Sequence, residues 1–83
     1  MSRPTRLIQD FKACQGPYSY RDLVRILSHL GYVEESTGGG SRRKFVHEES
    51  KQIIRLHEPH PGKEVKPYVV RSVRDLLSEQ GLI

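Results

Sequence analysis

The chain has one cysteine, Cys14, and no tryptophan. A single cysteine excludes an intrachain disulfide and a cysteine-based zinc site. It also suits a reducing compartment. No apolar run is long enough to span a membrane, and the first residues lack the apolar core of a secretory signal. A cytoplasmic protein with no membrane partner is the expectation. Apolar residues are scarce too, at 35% of 83 residues, below the usual share of soluble domains. One small domain with a thin core follows, and such a core can lean on a partner for stability.

Charge is present in excess. There are 14 Lys+Arg against 10 Asp+Glu, a formal charge of +4, and a pI near 9.5. The bias is local: residues 1–41 hold five basic and four acidic side chains, and residues 42–83 hold nine and six. A basic half suits a polyanion such as RNA or DNA, or an acidic protein. It also suits a merely solubilising surface.

The apolar spacing predicts an α+β order of helix, three strands, helix. Ser19 can cap a helix over Tyr20–Leu30, with Asp22 in its first turn. Leu23, Ile26, Leu27 and Leu30 form its stripe and Gly31 is its stop. Arg21 and Arg25 lie off that stripe, where a solvated face is expected. Strands are expected over Tyr32–Ser36, Arg42–His47 and Gln52–His57, joined by a glycine turn and by the polar turn Glu48–Lys51. Pro67 opens a last helix to Gln80, with Val69, Val70, Val73, Leu76 and Leu77 at helical spacing. Short connections make the strands antiparallel, and both stripes can be buried on one sheet face. Residues 1–18 read as an N-terminal arm or as a short helix over Arg6–Cys14 capped by Thr5, ahead of a domain over 19–83. Leu23, Ile26, Leu27, Leu30, Phe45, Val69, Val73, Leu76 and Leu77 are the expected core.

Two stretches carry chemistry. Gly38-Gly39-Gly40-Ser41 leads into Arg42, Arg43 and Lys44. Bare N–H groups and guanidinium forks suit phosphate oxygens, and a charged edge strand is the plainer alternative. Alternation puts Arg42 and Lys44 on one face of the strand and Arg43, Phe45 and His47 on the other. The second stretch, Ile53–Pro67, runs from a strand through His57, Pro59, His60, Pro61, Gly62 and Lys63 into the last helix. Two prolines and a glycine stiffen this loop. Histidine titrates near neutrality, so His47, His57 and His60 are candidate acid–base groups. His29, late in a helix, fits a structural role. His57 and His60 have no evident third ligand, so no metal and no cofactor is expected.

Gly40-Ser41-Arg42-Arg43, with Phe45 and His47 after it, resembles the HicA toxins of bacterial toxin–antitoxin pairs. So do His60-Pro61-Gly62-Lys63-Glu64-Val65-Lys66-Pro67 and the helix ending at Gln80-Gly81-Leu82. The resemblance covers roughly Tyr20 to Leu82. It implies an α-β-β-β-α fold like a double-stranded RNA-binding domain, and an mRNA endoribonuclease that needs no ribosome. It also implies a HicB antitoxin that covers the active site. In the family's Gly-Ser-His motif the histidine is taken as catalytic, and the matching position here is Arg42. Arginine holds phosphate but stays protonated and cannot act as an ordinary base.

The expectation is therefore a HicA-like, metal-independent endoribonuclease neutralised by a HicB-like antitoxin. Arg42, Arg43, Lys44 and Lys63 would bind RNA. His57 ranks first as the base, then His47, then His60, whose flanking prolines suit it to shaping the loop. A non-catalytic RNA-binding or antitoxin-binding module on the same fold is the alternative that Arg42 leaves open.

Overall fold

A computed structural model describes residues 4–35, 38, 40–59 and 62–83. The elements run α1 (Pro4–Ala13), β1 (Tyr18–Ser19), α2 (Tyr20–His29), β2 (Tyr32–Glu35), β3 (Arg42–His47), β4 (Ile53–His57), β5 (Glu64–Val65) and α3 (Pro67–Glu79). The strands β2, β3 and β4 form an antiparallel sheet in that order. This is the expected α+β architecture, with the N-terminal segment taking its helical alternative and a second, two-stranded sheet added.

Helix α2 forms as its sequence predicts. The Ser19 hydroxyl accepts from the Asp22 N–H at 3.3 Å, and Leu23, Ile26 and Leu27 are fully buried. Its stripe and that of α3 join one cluster with Tyr32, Phe45, Ile54 and Leu56 from a single sheet face. The other sheet face has no helix in that cluster. The α3 stripe is turned by one position from expectation: Val70, Val73 and Leu77 are buried, and Val69 and Leu76 are half-buried. Leu30 is half-buried as well. Ser36, where the first sheet strand was expected to end, lies outside the described residues.

The N-terminal segment is a helix, and it packs on the rest of the chain. Phe11 is fully buried in the common core and meets Tyr18 edge-on, with ring centroids 5.2 Å apart. Arg74 from α3 donates to the carbonyl oxygens of Lys12 and Cys14, at 3.2 and 2.8 Å. These carbonyls at the end of α1 have no partner within the helix, and the guanidinium supplies one. Packing therefore runs across the expected 18/19 boundary. The Thr5 side chain, its expected cap, lies outside the described side chains.

The second sheet pairs β1 with β5, Tyr18 opposite Val65 and Ser19 opposite Glu64. Strands of two residues carry no readable alternation, so the sequence shows no sign of this pairing. Its effect is to tie the start of α2 to the end of the histidine-bearing loop. The Tyr20 N–H donates to the Lys63 carbonyl at 2.9 Å in the same place.

Candidate functional site

The register of β3 on β4 sets Arg42 opposite His57, Lys44 opposite Arg55, and Val46 opposite Ile53. The Glu58 N–H donates to the Ser41 carbonyl at 2.8 Å. That bond brackets Arg42 and His57, which makes them a non-hydrogen-bonded pair, the kind with the closer side chains, about 4.5 Å between Cα atoms. Phe45, Ile54 and Leu56 point into the core, so alternation turns Arg42, Lys44, Arg55 and His57 to the helix-free face. Arg42, Arg55 and His57 are exposed and Lys44 is half-buried.

This column of cations is held against its own repulsion. Lys44 and Arg55 face each other directly, a like-charge pair that costs a sheet stability. Among the described residues Glu35 offsets it, 3.5 Å from the Lys44 ammonium on a half-exposed side chain, where such a pair is worth little. Among the described residues Arg21, Arg55 and Lys63 make no ion pair. Arg55 was absent from the sequence candidates. Its position between Ile54 and Leu56 was the available signal, since two core neighbours force it outward.

Arg43 lies on the opposite face of the strand and is engaged on several sides. It donates to Glu58 at 2.7 Å and to the carbonyls of Gly40 and Arg42 at 2.9 and 3.1 Å. It also lies 3.5 Å from Glu34. The guanidinium thus ties the glycine turn to β2 and to the end of β4. Beside it, the Tyr20 hydroxyl is pushed up by burial, then by Glu34 and Glu58, with Arg43 acting the other way. Arg43, Tyr20 and Lys63 line a groove of about 620 Å³ between α2 and the segment after β4. The four expected RNA-binding cations are therefore split, Arg42 and Lys44 on the open sheet face, Arg43 and Lys63 in the groove.

The histidines separate as well. His47 is 8% exposed, on the core face. Its Nε2 lies 2.9 Å from the Leu30 carbonyl, and its Nδ1 accepts from the N–H groups of Glu49 and Ser50, both at 3.2 Å. These partners assign the ring proton to Nε2. Both nitrogens are thus occupied by backbone. His57 is exposed at the end of β4. His60 and Pro61 lie outside the described residues. Among the described residues no cluster of three His, Cys, Asp or Glu side chains could hold a metal ion, and no helix is long and apolar enough to cross a membrane.

No curated protein and no solved structure gave a significant match to this chain. A family model does match, over residues 20–82: that of the HicA toxin of bacterial toxin–antitoxin systems. The match begins at the first residue of α2 and takes in the three-stranded sheet, α3 and the lining of the groove except Ser19, leaving α1 and β1 outside. Three quarters of the chain falls within it, and the chain belongs to the HicA toxin family.

Proposed function

We propose that the protein is an mRNA endoribonuclease, held inactive by a HicB-like antitoxin, whose working surface is the open sheet face. The observation that carries this reading is the Arg42–His57 cross-strand pair. The resemblance put the family's catalytic histidine at position 42, and the register supplies an imidazole directly opposite. Arg42 holds the scissile phosphate and neutralises charge as it develops there. His57 takes the proton from the ribose 2′-hydroxyl. The 2′-oxygen attacks phosphorus, the bond to the 5′-oxygen breaks, and a 2′,3′-cyclic phosphate remains. No metal enters these steps. Lys44 and Arg55 hold neighbouring phosphates. The leaving 5′-oxygen takes a proton from water, His60 stays third among the candidate acid–base groups, and His47 serves the fold.

Cleavage of bulk mRNA by the purified chain, with and without EDTA, tests the reading. Activity that survives EDTA and falls about 10²–10⁴-fold in His57→Ala is expected for a general base. A parent chain that binds RNA without cutting it favours the non-catalytic module, for which the arginine at position 42 is the supporting observation. The antitoxin is expected to cover Arg42, Lys44 and His57 and to compete with RNA. A complex that leaves RNA binding intact contradicts that arrangement.

A further inference from the structure

The groove beside Arg43 lies at the same end of the sheet as the Arg42–His57 pair but opens on the other side. Pro59 and Lys63, which line it, lie two and six residues past His57 in the chain. Tyr20 and Val24 line it from the first turns of α2, one turn apart on the helix. Arg21 and Arg25 line it as well, both exposed. The acidic side chains within it, Glu34 and Glu58, are held by Arg43. Among the described residues Arg25 has only an exposed ion-pair contact, at 3.7 Å with Asp22. The free charge of the groove is therefore positive. Its two walls are tied together where the Tyr20 N–H is bonded to the Lys63 carbonyl.

We propose that this groove seats an unstacked nucleotide of the same RNA strand that passes the Arg42–His57 pair. The base lies on Tyr20, Val24 and Pro59, and Arg21, Arg25 and Lys63 take the flanking phosphates. A half-buried aromatic beside exposed cations is the arrangement that binds single strands with little sequence preference. A splayed base needs a single strand, since a paired one stays stacked in its helix. Strand reach around the end of the sheet joins the two surfaces into one track. The inference rests on the RNA reading above and extends it to a second surface.

The test is binding, so it does not depend on cleavage. Fluorescence anisotropy on the full chain with a labelled oligouridylate, followed across a salt series, measures the number of phosphates engaged. The paired variant Arg21→Ala, Arg25→Ala removes two exposed cations. It should flatten the plot of log K against log salt by about 1.4, or 0.7 per single-strand phosphate. Tyr20→Leu keeps an apolar filler and removes the aromatic face. It should weaken binding roughly 5- to 150-fold without changing the slope. Thermal melts check that each variant folds. An unchanged slope in the arginine variant, with binding still lost in Arg42→Ala, overturns the groove and leaves the RNA reading standing. A parent chain that binds no RNA overturns both. An arginine variant that keeps its RNA slope but no longer binds an acidic antitoxin assigns the groove to protein and overturns the proposal.

Discussion

The Nε2 atom of His47 lies 2.9 Å from the carbonyl oxygen of Leu30, and this contact joins the last residue of β3 to the end of α2. Leu30 caps that helix, and its carbonyl is among those a helix end leaves without an internal partner. His47→Ala would strand that oxygen and the two N–H groups that Nδ1 serves. The expected loss is about 2–4 kcal/mol in urea denaturation. A loss below about 0.5 kcal/mol, the size of a surface change, would argue against a structural role for His47.

Gly31 is packed against the same ring. Its φ is +98°, and an added Cβ would lie 3.1 Å from His47 Nε2. Gly31→Ala therefore meets both backbone strain and a crowded neighbour. We expect about 1–3 kcal/mol of destabilisation, smaller in a His47→Ala background where the ring is gone. Equal effects in both backgrounds would assign the cost to φ alone.

Tyr32 packs edge-on against His47, with ring centroids 5.0 Å apart, and its buried hydroxyl has no hydrogen-bond partner among the described residues. An unmet buried hydroxyl costs stability, so removing it is favourable. Tyr32→Phe should raise stability by up to about 2 kcal/mol. A fall in Tm would show that the hydroxyl has a partner.

The mid-stripe position of Leu27 and its complete burial make it the plainest probe of the core. Leu27→Ala should cost about 2–5 kcal/mol, as lost burial plus a cavity. A cost near zero would contradict the packing of α2 on the sheet.

Alkaline pH tests the N-terminal helix. The Tyr18 hydroxyl is pushed up to about 12 by burial first, then by Asp22, Asp10 and Cys14, and it lies 3.4 Å from the Leu7 carbonyl of α1. Its folded value is above the ordinary 10, so the folded state holds this proton more tightly. That contribution is present below pH 10 and is lost as pH rises from 10 to about 12, the sign expected from linkage. Tyr18→Phe should flatten this part of the stability profile. An unchanged profile would remove Tyr18 as its source.

The sequence by itself determined the features that repeat within one element. A spacing of three and four residues marks α2 and α3, and Ser19, Gly31 and Pro67 mark their ends. Alternation around Phe45 separates Arg42 and Lys44 from Arg43 and His47, because successive side chains in a strand must point to opposite faces. The glycine and histidine motifs were legible enough to show the family.

Only the tertiary structure decided what depends on residues far apart in the chain. Phe11 alone could not reveal that α3 would supply Arg74 to the end of its helix. Two-residue strands have no period, so β1 and β5 are visible only once paired. His47 and His57 are alike as letters, and what distinguishes them is that one ring meets the end of α2 while the other faces solvent. The pairing of Arg42 with His57, and its separation from Lys63, follow from strand register. Register is set by which side chains the whole core can bury together, and a local pattern does not contain that information.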